Sequence, residues 1–371
     1  MASYAASRQE TAVRRSVRLV LAALFLTLIA SVARADPPWV VKSADGKSSI
    51  AFGFLAQPQG EWLTTADGLD TSKNLFLRRL RLVVGGSATE RISFFIDTDS
   101  PNLGKGTASG TKVQEKVFLQ DAIFTFTARP EFQVDAGMLI VPLSHNSGQS
   151  AATLLAADYG PNSFLASDPT NSVMGRDYGA QARGYVAKHL EYRAGVFQGS
   201  RGTTATSPFR YFGRVVWYPR DAETGFFYSG TTLGAKRIIA VGASLDHQGD
   251  YNAGGVDLYV DQPLKGGDVA TFQLDFIRYD GGRLFPLLPA QNCWLFEGGY
   301  LFHAARVEPF AQIATRDPSD PLLGGERKYQ AGVAYWANGH RYNAKLGVAR
   351  LTKSGAPSRT QVVVQAQLFL W

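Results

Sequence analysis

The chain closes on QVVVQAQLFLW, residues 361–371, where Val362, Val364, Ala366, Leu368 and Leu370 oppose Gln361, Gln365 and Gln367. Successive side chains of a strand point to opposite faces, so this segment has one apolar and one polar side. The same period of two recurs upstream. In ERISFFIDT, residues 90–98, Ile92, Phe94 and Ile96 oppose Arg91, Ser93 and Asp97. In residues 132–140, Phe132, Val134, Ala136, Met138 and Ile140 alternate with Gln133, Asp135 and Gly137.

Segments of this kind are expected near 48–57, 74–85, 90–98, 116–127, 131–141, 177–187, 190–198, 208–218 and 226–234. More follow near 237–246, 254–262, 268–279, 293–303, 306–315, 328–337, 340–351 and 360–371, which makes about sixteen or seventeen strands. Turn formers such as Pro101-Asn102, Pro219-Arg220-Asp221 and Gly281-Gly282 separate them. No helical period of useful length interrupts the series.

The start of the chain reads differently. Arg14, Arg15 and Arg18 precede an apolar run from Leu19 to Val32, which ends at Ala33-Arg34-Ala35. A basic region, a short apolar run and an A-x-A site predict a secretory signal peptide over 1–35. As a helix the run would cover about 21 Å, short of the roughly 30 Å hydrocarbon core. Residues 36–47 are then expected to form a periplasmic arm, and 48–371 the folded unit. The formal charge of +7 is concentrated in the leader; beyond residue 35, 33 basic residues face 30 acidic ones. That balance excludes a strongly basic nucleic-acid binder. A single cysteine, Cys293, excludes an internal disulfide framework.

An exported, alternating all-β chain has two architectures open to it. A sandwich buries its apolar faces in a core, whereas a transmembrane antiparallel β-barrel turns them to lipid and lines a lumen with the polar faces. Aromatic pairs at strand ends (Trp217-Tyr218, Phe226-Phe227-Tyr228, Tyr335-Trp336) suit an interfacial girdle. The terminal strand ending in Trp371 resembles the signal read by outer-membrane assembly machinery. The expectation is therefore a barrel of about 16 strands in the outer membrane of a Gram-negative-type cell.

Six motifs carry a family resemblance. Residues 75–82, LFLRRLRL, followed by Gly85-Gly86, resemble the F-x-x-R-R-x-R-x motif of the phosphate-selective porin O and P family. Gln120-Asp121-Ala122, residues 137–144 (GMLIVPLS), residues 175–179 (GRDYG), Glu308-Pro309-Phe310 and Gln365-Ala366-Gln367 are similar to further family segments, in family order. The resemblance implies a sixteen-stranded homotrimeric porin that passes inorganic phosphate or other small anions along inward-facing basic residues, without a cofactor. Two departures bear on the solute: Ile140 stands where the family has a basic residue, and the expected constriction loop 143–175 contains no Lys or Arg, only Asp158, Asp168 and His145.

With apolar faces outward, Phe76, Leu80, Leu82 and Val84 meet lipid, Arg79 and Arg81 point inward, and Arg78 reaches to a rim. The same assignment turns Arg91, Arg183, Arg193, Arg210, Arg214 and Arg306 to the lumen as anion-site candidates, because arginine stays charged and offers a planar fork. Asp97, Asp135, Glu191, Asp275 and Glu308 share that face and could neutralise them.

Catalytic readings are thin. His145 and Ser147 would serve an outer-membrane acyl hydrolase only if the histidine activated the serine. Asp97 with Asp99, and Asp317 with Asp320, could offer oxygens to calcium but sit among turn residues. His189, His247, His303 and His340 are scattered, so no metal site is expected. A sandwich binding protein remains the third reading.

Overall fold

The computed structural model describes residues 39–107, 109–114, 116–164, 175–202 and 204–371. The leader and Asp168 lie outside the described residues. A short strand β1 (Trp39–Lys42) precedes β2 (Ser49–Thr64), β3 (Thr71–Ser87), β4 (Ile92–Asp99), β5 (Phe118–Arg129) and β6 (Phe132–Ile140). After a one-turn helix α1 (His145–Gly148) come β7 (Arg176–Val186), β8 (Leu190–Phe197), β9 (Arg210–Trp217), β10 (Ile238–Gln248), β11 (Tyr251–Pro263) and β12 (Val269–Asp280). The last five are β13 (Gln291–Leu301), β14 (Val307–Pro318), β15 (Glu326–His340), β16 (Tyr342–Lys353) and β17 (Arg359–Leu370).

From β2 onward each strand pairs antiparallel with the next. The ring closes where β17 pairs with β2, with Val364 opposite Gly60 and Leu370 opposite Phe54. The result is a closed sixteen-stranded barrel, β2 to β17, with β1 folded back as a hairpin on the free edge of Ser49–Phe52. Closure removes every sheet edge and rules out the sandwich. The side chains are arranged inside out. Along β10, Val241, Ala243, Leu245 and His247 are exposed while Gly242, Ser244, Asp246 and Gln248 are buried. No described helix is long and apolar enough to cross a membrane; the strands do so instead.

The two ends differ. One carries both ends of the barrel sheet and mostly turns of a few residues, such as 130–131, 187–189 and 341; the other carries longer connections, including 100–117, 141–175 and 281–290. Outer-membrane barrels have short periplasmic turns and longer outer loops, which fixes the orientation. One connection breaks this rule. Residues 218–237, between β9 and β10, are long and lie on the short-turn end.

Two expectations need correction. The strand near 226–234 is absent from the wall: the extended stretch at Tyr228 pairs instead with Gln149 inside the barrel, in a single parallel bridge. An alternating pattern cannot distinguish a wall strand from an extended segment in the lumen. Second, Phe76 faces inward, and Arg78 does not lie on the lipid side. The pairing of β2 with β3 jumps from Ala56↔Leu80 to Pro58↔Leu77. This leaves one extra residue on β3, a β-bulge that resets the alternation. Upstream of it Leu75 is exposed and Phe76 buried.

At the short-turn mouth Trp371 falls on the inward phase of β17. Its indole lies over Gly53 and Gly85, where an added Cβ would stand 2.5 Å and 2.7 Å from the ring, and edge-on to Phe95 at 5.8 Å. Gly85→Val is expected to lower stability by about 1–3 kcal/mol through overpacking. Thermal unfolding in detergent reads this as a lowered midpoint, and adding Trp371→Ala should restore part of it. An unchanged midpoint would mean that the indole does not seat there.

Candidate functional site

Alternation puts Arg79 and Arg81 of β3, Arg183 of β7, Arg193 of β8, and Arg210 and Arg214 of β9 on the inner wall, and all six are buried. Each meets a carboxylate. Arg81 spans Asp97 at 3.1 Å and Asp99 at 2.9 Å; Arg183 meets Asp135 at 2.7 Å and Arg193 meets Glu191 at 2.6 Å. Arg210 bridges Asp177 at 3.2 Å and Asp246 at 2.6 Å, and Arg214 grips Asp257 with both terminal nitrogens at 2.7 and 2.8 Å. Arg176, within a family-like motif, meets Asp121 of another at 3.0 Å. Buried pairs lose much hydration and keep their charge only when compensated, so this wall has little net field.

Arg91 and Arg306 stand elsewhere, a correction to their assignment to the lumen. Both are exposed in short turns outside the strands, Arg306 with φ of 57° and its guanidinium on the carbonyl of Ala337 at 2.8 Å. The alternating segments 90–98 and 306–315 start before the strands, which begin at Ile92 and Val307, so the two arginines fall in the preceding turns, where alternation does not set direction.

The described part of 141–175 folds inside the barrel, where wall side chains hold its backbone carbonyls. Lys345 donates to the carbonyls of Leu154 and Ala156. Gln367 donates to Ala152 at 2.8 Å, Gln57 to Ala151 at 3.2 Å and Gln365 to Ala157 at 3.1 Å. Asp158 receives Arg78 and Arg79, each at 2.6 Å. Burial, the largest effect on Asp158, pushes its carboxyl up, but the two arginines outweigh it and hold the group below the ordinary range. A carboxyl depressed in this way stabilises the fold above its unfolded pKa, and that contribution fades as pH falls through the folded value.

Residues 218–237 enter from the opposite end and dock on this loop. Tyr228 donates its N–H to Gly148, and its carbonyl accepts from Ser150, both at 2.9 Å. Its ring stacks on His145 with centroids 4.9 Å apart. Burial, ahead of the opposing pull of Arg193, raises the Tyr228 phenol to about 12. It therefore stays protonated, donating to Glu191 at 3.2 Å while accepting from Arg214 at 3.1 Å. The two nitrogens of His145 face Glu223 at 2.8 Å and Gln149 at 3.1 Å. Ser147 is absorbed in a capping box with Ser144. No His–Ser couple exists for acyl chemistry. Asp97 and Asp99 are taken by Arg81, and no group of metal-ligating side chains occurs among the described residues.

Above the loop, toward the long-connection end, lies a cavity of about 940 Å³. Arg78, Lys105, Arg316, Lys328, Lys353 and Arg359 line it together with Glu61, Asp158 and Glu326. Lys105 pairs with Glu61 at 2.7 Å, while Arg316 and Lys353 share Glu326 at 3.1 and 3.0 Å. Lys328 donates to Gln312 at 2.9 Å and Arg359 to the carbonyl of Thr64 at 2.7 Å; neither has a carboxylate partner among the described residues. Tyr159 borders both this vestibule and a smaller inner cavity of about 90 Å³ that reaches Arg81 and Trp371. Sequence reasoning missed these cations except Arg78, because they sit at strand ends near loops. The available signal was that Lys328 begins the alternating segment 328–337 and Arg359 immediately precedes the segment 360–371.

A closed sixteen-stranded barrel with a polar, loop-filled lumen is an outer-membrane porin. The family model described as phosphate-selective porin O and P matches residues 64–237, the stretch that carries four of the six family-like motifs in whole or in part. Among solved structures it resembles an anion-selective porin from Comamonas acidovorans, with 14% identity and a TM-score of 0.58 over 87% of this chain and 100% of that one. The outer membrane channel DcaP of Acinetobacter baumannii gives 9% identity and 0.57 over 89% and 99%. OmpT of Vibrio cholerae, in trimer form, gives 8% and 0.53 over 88% and 100%. At these identities the likeness is one of fold. No curated protein matches the chain by sequence.

Removing the ammonium of Lys345 leaves two buried loop carbonyls unsatisfied, at about 1–3 kcal/mol each. Lys345→Met is therefore expected to loosen the loop and give a larger, noisier single-channel conductance in planar bilayers. Conductance identical to wild type would show that the loop is held without it.

Proposed function

We propose that the protein is a passive, non-catalytic outer-membrane channel that prefers small anions, and that 143–175 is its constriction loop. The observation that carries this reading is the charge of the outer vestibule. Among the described residues Lys328 and Arg359 face the path without carboxylate partners, and Arg316 and Lys353 share one glutamate. The wall arginines, Arg79 among them, serve mainly as structural ties, so selectivity is assigned to the vestibule, Arg78 included.

Rings of fixed charge set ion preference in a confined passage. One uncompensated charge about 4 Å from the path is worth about 1 kcal/mol in a watery lumen, or roughly fivefold in local anion concentration. Phosphate is one solute among several. The family's basic position is Ile140, fully buried here, and the described part of the loop brings no lysine or arginine. A homotrimer is proposed from the family likeness and from the trimer form of OmpT. The exposed apolar strand faces suit outer-membrane lipid, and we assign Trp371 to recognition by the assembly machinery.

Reversal potential in a potassium chloride gradient tests the reading. Wild type should reverse on the anion side. The double variant Lys328→Glu with Arg359→Glu should move it toward cations. Asp158→Asn, which releases Arg78 and Arg79, should move it further toward anions by roughly a fivefold permeability ratio. A wild-type potential on the cation side would overturn the proposal.

A further inference from the structure

We propose that the outer vestibule is a binding site for small organic monocarboxylates with an apolar body, of the benzoate or hexanoate type. This inference rests on the anion-preferring reading and names the solute class.

The cross-strand register arranges the site. Arg316, Glu326 and Lys353 lie opposite one another on β14, β15 and β16. The row one step deeper is Lys328, Leu351 and Arg359 on β15, β16 and β17. Two cations that have no carboxylate partner among the described residues thus flank a leucine, about 10 Å apart at two strand spacings. A carboxylate held by either cation lays whatever it carries over Leu351. Leu288 and Phe164 cover the cavity from the loops.

A bare inorganic anion has no use for such a surface. Phosphate has acceptor oxygens on every side, and an apolar wall replaces none of its water. A benzoate-like anion matches both halves: its carboxylate fits the guanidinium fork of Arg359, and its ring displaces water from Leu351. At about 940 Å³ the vestibule falls in the range of small-molecule sites.

The test is block of chloride current through single channels in planar bilayers by benzoate, acetate and inorganic phosphate, each added on the long-loop side. Wild type should be half-blocked by benzoate at roughly one-tenth the concentration needed for acetate, the gain expected from burying on the order of 55 Å² of apolar surface. Leu351→Asn should bring the benzoate-to-acetate ratio toward one while the chloride reversal potential stays anionic. Lys328→Gln with Arg359→Gln should weaken block by both carboxylates. Equal block by benzoate and acetate in wild type, or strongest block by phosphate, overturns this site even if the reversal potential remains anionic. A cation-directed reversal potential overturns the anion reading itself, and the site with it.

Discussion

Charge placed inside this barrel has to be neutralised where it stands, and most of the interior follows from that constraint. The lumen is occupied by two chain segments, so arginines on β3, β7, β8 and β9 are buried rather than bathed. A buried guanidinium without a carboxylate would cost several kcal/mol. Each is therefore matched close by: Arg210 with Asp246 on the next strand, Arg214 with Asp257 two strands away and Arg193 with Glu191 on its own strand. The same pairing fixes the segment folded inside the lumen, because Asp158 is the partner on the loop for Arg78 and Arg79. Holding the loop and cancelling the wall's field are one act.

The family-like motifs take on a physical meaning in this light. The arginines of 75–82, Asp121, the Arg176-Asp177 pair and Glu308 belong to the buried polar lining, where Arg176 meets Asp121, Asp177 meets Arg210, and Glu308 accepts from the indole of Trp336 at 2.7 Å. What such motifs encode here is a folded interior. That is compatible with different solutes, because apart from Arg78 the cations that line the vestibule lie on strands and loops outside them.

The architecture was legible because a barrel wall writes a strict two-residue period. The inward positions of Arg183, Arg193, Arg210 and Arg214 could be read from that period alone. Their partners could not, since Arg210 and Asp246 are joined only by the pairing of β9 with β10. At Arg78 and Arg79 the period itself broke. A bulge inserts one residue, and LFLRRLRL can be split into inward and outward sets in two ways that differ only in where the extra residue falls. Residues 226–234 show the opposite ambiguity. Their extended backbone is real at Tyr228, but its hydrogen-bond partner is the loop of the lumen rather than a wall strand.

The division of labour along the axis explains why no local pattern announced the vestibule. Deep in the barrel, burial enforces one carboxylate per arginine or thereabouts, and any excess cation would be expelled or neutralised. Near the outer mouth water restores a high dielectric, and Arg359 and Lys353 can stand with fewer carboxylates than cations at little cost. Net positive field is therefore cheapest where the strands end, where alternation is already giving way to loop composition. A channel built this way places its rigid charges in the wall and its selective ones at the entrance, so sequence change at the strand ends can alter the solute while leaving the barrel intact.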